Sequence, residues 1–154
     1  MKRNYLLLAG VLISAASGSA VASAQAGATS AHTARTTEVV LRHTSLGSIL
    51  TTSSGFTLYE FTRDHGSEDS CMKIRGCSSV WPALESGGKP SAGAGVKGSL
   101  LSTVRVAGGA RQVTYAGHPL YTYSADSRGS TAYVGANAFG GNWYALNASG
   151  HAVR

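Results

Sequence analysis

The chain is poor in the residues from which most active sites are built. Of its 154 residues 13 % are charged and seven are acidic, and no two carboxylates stand out as a pair for glycoside chemistry. There is no G-x-S-x-G elbow, no H-E-x-x-H and no phosphate loop. Two cysteines, Cys71 and Cys77, are spaced C-x5-C, which is neither a redox nor a zinc spacing, and no second pair completes a metal site. The histidines, His32, His43, His65, His118 and His151, show no i, i+2 or i, i+4 pairing. No stretch of ten or more residues holds a helical period, which argues against an α-helical bundle. Basic residues are dispersed, with Lys73, Arg75, Lys89 and Lys97 the loosest of groups, unlike the dense basic stripe of a nucleic-acid binder.

The beginning of the sequence is different in kind. Lys2 and Arg3 precede an apolar or small stretch from Tyr5 to Ala16, and Ala22-Ser23-Ala24 offers an A-x-A cleavage site. This layout predicts a secretory signal peptide over 1–24, cut after Ala24. The apolar run is about half the ~20 residues of a membrane span. Residues 25–36 are Ala, Thr, Ser and Gly with scattered charge, and read as a flexible leader. What remains, 37–154, is enough for one domain. No further apolar run follows, so no membrane contact is expected after signal removal. The formal net charge falls from +6 to +4 without Lys2 and Arg3. In an exported chain Cys71 and Cys77 are expected to form a structural disulfide; a metal or redox role is the other reading.

What the sequence does have is self-similarity. Gly55-Phe56-Thr57-Leu58-Tyr59-Glu60-Phe61-Thr62-Arg63-Asp64 returns as Gly117-His118-Pro119-Leu120-Tyr121-Thr122-Tyr123-Ser124-Ala125-Asp126. At the same offset of 62 residues, Trp81-Pro82-Ala83-Leu84 falls on Trp143-Tyr144-Ala145-Leu146, and Gly88 on Gly150. One register without gaps predicts two copies of one unit, about 46–88 and 108–150. Cys71 falls on Tyr133 and Cys77 on Phe139, so both pairs of positions are expected to face inward and lie close.

Composition turns these units into strands. Glu38–Arg42 reads as an opening strand, Leu46-Gly47 as a turn and Ser48–Thr52 as a second strand. Phe56–Phe61 follows after Ser53-Ser54-Gly55, forming a hairpin. The second copy repeats it as Arg111–Tyr115, a turn at Ala116-Gly117, and Pro119–Tyr123. Alternation places Tyr59 and Phe61, with Tyr121 and Tyr123, on one face, and Leu58 and Leu120 on the other. Both faces are apolar, so the motif strand is expected to be covered on each side. Glu85–Gly98 is a Gly-rich connector, and Trp143–Leu146 a closing strand. The expected fold is therefore mainly β: two pseudo-symmetric repeats of a hairpin plus a Trp strand, packed as one small domain.

Tyr59, Tyr121, Asp64 and Asp126 carry two readings. In one, each Asp accepts backbone N–H bonds at the turn leaving its strand while the Tyr ring fills core. In the other, Tyr and Asp bind a ligand or a metal. Retention in both copies favours scaffold. Trp81 and Trp143 read as core anchors, with a carbohydrate platform as the rival. A copper or haem role would need His65 or His118 brought to Met72 or a cysteine.

These motifs resemble the bacterial secreted-repeat family. The matching run is Leu58-Tyr59-Glu60-Phe61-Thr62-Arg63-Asp64, two cysteines, Trp81-Pro82-Ala83-Leu84, a second Leu-Tyr-x-aromatic-x-x-Asp and a late Gly-Asn-Trp-Tyr-Ala-Leu. The resemblance spans about Leu46 to Gly150. It implies an exported protein with a Tyr-x-aromatic-x-x-Asp motif and no assigned general activity. Many members are predicted lipoproteins, but here no cysteine follows the cleavage site. The cysteine spacing is also wider than the family's C-x3-C. The expectation is a secreted, non-catalytic structural or interaction module without cofactor or metal. Its partner is unknown, a cell-wall polymer or another surface protein being the candidates, and nucleic acid is not among them. The alternatives are an extracytoplasmic metal or cofactor protein linked to electron transfer, and a polysaccharide binder.

Overall fold

The computed structural model describes residues 35–154; the signal peptide expected over 1–24 and nearly all of the expected leader fall outside the described residues. The first strands form where β-branched and apolar residues cluster. Strand β1 (Glu38–Thr44) and β2 (Gly47–Thr52) make an antiparallel hairpin, Val39 opposite Thr52 through to Thr44 opposite Gly47. Gly47 takes the positive φ (93°) that closes this tight turn. The chain then turns through Gly55 and returns along β2 only briefly, by Thr52 N–Phe56 O and Leu58 N–Leu50 O bonds. Strand β3 (Tyr59–Phe61) then leaves β2 and pairs with a strand from the other end of the chain.

Between β3 and Trp81 lie a 3-10 turn at Cys71–Lys73 and a single-turn helix α1 (Cys77–Val80). The connector is not a free linker. Within it β4 (Ser91–Ala92) pairs parallel to the start of β1, and Gly93 and Gly95 lie flat against Val40 and Leu41. A Cβ on Gly93 would come within 2.5 Å of Val40 Cγ1. Glycine content that reads as flexibility is here used for close approach.

The second half runs through β5 (Leu101–Arg105), β6 (Arg111–Tyr115), β7 (His118–Pro119), β8 (Ala136–Ala138), β9 (Gly141–Leu146) and β10 (Ala152–Val153). Strands β5, β6 and β7 form one antiparallel sheet; β10, β9 and β3 form another, with β8 on β9. The expected strand Pro119–Tyr123 is cut short. Leu120 N still donates to Val113 O of β6, but beyond it the backbone parts from β6, because Leu84 N and the Gln112 side-chain amide both bind the Leu120 carbonyl. From there Tyr121 pairs with Tyr59 and with Ala83 instead.

The fold is mainly β, as composition predicts. The two halves do not carry matching strand inventories, however, and the correspondence is concentrated in the motif segments. The two faces of those segments build two cores. Leu58 and Leu120 join Val39, Leu50, Val113 and Leu146 in an aliphatic cluster. Tyr59, Phe61 and Tyr121 join Trp81, Trp143 and the two cysteines in an aromatic one, with Tyr123 packed at its edge.

Candidate functional site

The site is the place where the two copies of the motif cross. Tyr59 and Tyr121 lie side by side as an antiparallel bridge, each N–H donating to the other's carbonyl at 2.9 Å. Outside this bridge each motif segment is held by the other half of the chain. Thr62 N donates to Asn142 O, and at an offset of 62 residues in both partners Ser124 N donates to Val80 O. Likewise Tyr59 pairs with Ala145, and Tyr121 with Ala83. The strand that each copy contributes is thus completed by the Trp segment of the opposite copy.

Side chains repeat the exchange. The Tyr59 hydroxyl donates to Asp126 Oδ2 and the Tyr121 hydroxyl to Asp64 Oδ2, both at 2.9 Å. Each Asp also closes its own turn: Asp64 N–H donates to Phe61 O and Asp126 N–H to Tyr123 O. Asp64 Oδ1 accepts from Ser70 N, and Asp126 Oδ1 from Ser127 N. Burial, reinforced by the facing Asp126 charge, drives the Tyr59 hydroxyl well above the usual phenol range; burial and Asp64 do the same to Tyr121. Both phenols therefore stay protonated donors at any physiological pH.

Between these clamps runs a stack of rings. Phe61 lies on Trp143 at 4.1 Å, Trp143 on Trp81 at 4.1 Å, Trp81 on Tyr123 at 4.5 Å and Tyr123 on Tyr133 at 4.0 Å. Tyr59 and Tyr121 meet Trp81 and Trp143 edge-on at 5.1 and 5.2 Å. Such arrangements contribute about 0.5–1.5 kcal/mol per pair beyond the area they bury. With Trp81 1 % and Trp143 0 % exposed, neither indole offers a face to a sugar ring, which removes the carbohydrate platform read from these two residues.

The remaining sequence-selected residues find plain structural places. Gly55 (φ 93°) and Gly117 (φ 86°) occupy left-handed turn positions. Cys71 and Cys77 are joined as a disulfide and fully buried beneath Trp81. Their counterparts Tyr133 and Phe139 are half-buried against the same cluster, where Tyr133 takes Tyr123 as its ring partner. His118 Nδ1 lies 2.9 Å from Glu60 Oε2. Burial raises the Glu60 pKa, while His118 and Arg154 act against that rise. The bridged cysteines offer no thiolate to a metal. Among the described residues no three of His, Cys, Asp or Glu converge as a metal site. An open groove of about 480 Å³ is lined by Glu68, Met72, Lys73, Val104 and Arg105.

One residue escaped the sequence reading. Asp69 is buried, its Oδ1 accepts from Met72 N, and its Oδ2 is shut away from solvent without a partner. After burial and Asp64, Asp69 is a further cause of the raised Tyr121 pKa. Asp69 is not repeated, since Thr131 stands at its offset position, and repetition was the signal used to select residues. The capping pattern Asp69-Ser70-Cys71-Met72 was available to find it.

Fold and clamp together define a small, mainly β domain in which paired motifs lock into one another. The family model described as a secreted repeat of unknown function matches residues 102–147. The matched stretch contains Tyr121, Tyr123, Asp126 and Trp143, and is narrower than the span over which the motifs resemble the family. No curated protein and no solved structure matches the chain.

Proposed function

We propose that this chain is an exported, non-catalytic structural or interaction module whose Tyr-x-aromatic-x-x-Asp motif serves the fold. One observation supports this above others: the motif's hydroxyls and carboxylates are engaged with each other across the two halves, which leaves the Tyr–Asp pairs nothing to offer a ligand. Contact with a cell-wall polymer or a surface protein then falls to exposed loops. The secreted description of the matching family and the signal-like start of the sequence support export. Among the described residues, no helix is long and apolar enough to cross a membrane.

The test is thermal unfolding of the intact protein and of Tyr59→Phe and Tyr121→Phe, with and without copper(II), iron(III), haem or isolated cell wall. On this reading both variants melt earlier than the parent, and any stabilisation by an added ligand survives in them. A ligand whose stabilising effect disappears in both variants, while their own melting temperature is unchanged, would make the motif a binding site and end the proposal.

A further inference from the structure

The sheet of β5, β6 and β7 is covered on one side and open on the other. Val113, in the middle of β6, donates its N–H to Leu84 O and accepts Leu120 N on its carbonyl, so its backbone groups face away from β5. Backbone groups alternate in direction along a strand. Those of Gln112 and Thr114 therefore face β5, where their register partners are Val104 and Ser102. Thr103 and Arg105, one residue out of step with these, aim their N–H and C=O groups out of the sheet. Strand β5 is the terminal strand of its sheet. Among the described residues, nothing is hydrogen-bonded to the outward groups of Thr103 or Arg105.

The space beside this edge is open. Thr103 is half-buried and Arg105 exposed. A groove of about 450 Å³ is lined by Leu101, Ser102 and Thr103 in succession, and the groove of about 480 Å³ by Val104, Arg105 and Val106. Consecutive strand side chains point to opposite faces, so a groove that touches three in a row reaches the strand's edge and not one face alone. An unpaired edge of this kind is a template for a further strand.

The grooves also have a sign. Lys89 and Arg111 line the first and Arg105 the second, and among the described residues none of the three has an ion-pair partner. Of the two acids at the second groove, Glu68 is paired with Lys73 and Asp69 is buried. A second copy of this chain, paired antiparallel along β5, would bring its Arg105 to the end that holds Lys89 and Arg111. Cation would face cation, which disfavours self-pairing.

We propose that the outer edge of β5 is a docking site for an extended peptide with acidic side chains, taken up as an additional strand. The peptide backbone bonds the outward groups of Thr103 and Arg105, and its carboxylates meet Lys89, Arg105 and Arg111. The site goes beyond the loop contacts proposed above. It takes no part in the Tyr–Asp clamps, so its failure would leave the reading of the motif intact.

The experiment reads single amides by hydrogen-exchange NMR on the full chain, with acetyl-Glu-Thr-Val-Thr-Val-Glu-amide as the probe. In the free protein the amides of Thr103 and Arg105 should exchange fast, and those of Ser102 and Val104, bonded to β6, slowly. Saturating peptide should slow Thr103 and Arg105 by roughly tenfold or more and leave Ser102 and Val104 as they were. The same peptide with Lys in place of both Glu should bind roughly tenfold more weakly at low salt, and the gap should close as salt rises. Thr103→Pro removes an outward N–H without touching the β6 ladder, and should abolish binding while the Val104 amide stays protected. A probe N-methylated at its four central residues keeps its charges but loses its donors, and leaves the protein unaltered; it too should lose binding. Equal binding of the N-methylated or the Lys-ended peptide, or no binding at millimolar probe, would overturn the proposal. So would Thr103 and Arg105 amides already protected in the free protein, at every dilution by the chain itself or only at high concentration by a second copy.

Discussion

The stretches between motif Asp and Trp are sixteen residues long in both halves, His65–Val80 and Ser127–Asn142, and they fold differently. The first is a loop with a 3-10 turn and helix α1, stapled by Cys71–Cys77. The second is the hairpin of β8 and β9, turning at Phe139 and Gly140, both at positive φ. Yet the segments on either side reach equivalent places, with the same backbone partners at the same offset. Length and anchors are therefore what the crossing of the motifs requires. The structure in between can be helix with a covalent bond or strand with aromatic packing, provided it delivers Trp to the stack.

Ways to break that equivalence can be ranked by size. The largest effect is expected from the indoles. Trp143→Ala should cost about 4–5 kcal/mol and Trp81→Ala about 3–4 kcal/mol by urea unfolding, because Trp143 lies between two near-parallel rings while Trp81 has one parallel and one tilted neighbour. Equal costs would mean that the stack is symmetric in energy. Next comes the staple: Cys71→Ala with Cys77→Ala should lose about 2–3 kcal/mol, the low end for a short loop. Non-reducing mass spectrometry of the parent should show these two residues two hydrogens lighter than the dithiol.

A third comparison uses glycines that share the offset but not the conformation. Gly150 sits at φ 80° with a hypothetical Cβ 2.2 Å from Ala116 Cβ, whereas Gly88 lacks a positive φ and would approach Thr36 Cγ2 at 3.5 Å. Gly150→Ala should cost about 2 kcal/mol or more and Gly88→Ala about 0.5 kcal/mol or less by thermal unfolding. The smallest term is a single clamp. Tyr59→Phe should cost about 1–2 kcal/mol, and a double-mutant cycle with Asp126→Asn should return a coupling of about 0.5–1.5 kcal/mol. A coupling of zero would leave the cross-half hydroxyl bond without energetic weight.

Much of the scaffold could be read in advance because its determinants are local. The β1–β2 hairpin follows from Glu38–Thr52 and a Gly47 turn, and the alternation of Leu58 with Tyr59 and Phe61 sorts them correctly into two cores. The disulfide follows from cysteine count and the export expected from the signal-like start of the sequence. Strand partners were not legible. Nothing in Pro119–Tyr123 says that its backbone abandons β6 at Leu120, since that depends on competition from Leu84 N and Gln112 for one carbonyl. The same limit hid the crossing of Tyr59 and Tyr121 with the opposite Asp, which internal spacing alone presents as two separate Tyr–Asp pairs. Gly93 and Gly95 misled in another way, because composition cannot distinguish a flexible glycine from one that lets two backbones touch.

The mutual completion of β3 by β9, and of the Tyr121 segment by Pro82 and Ala83, has a consequence for how this domain comes apart. Neither half can open while the other stays closed, so the amides of Tyr59 and Tyr121 should exchange with deuterated solvent at one common rate, set by global unfolding. A protease cut in the exposed Lys97–Gly98 region would leave the two fragments entwined rather than releasing either. That interlock converts one broken peptide bond into a tolerable injury.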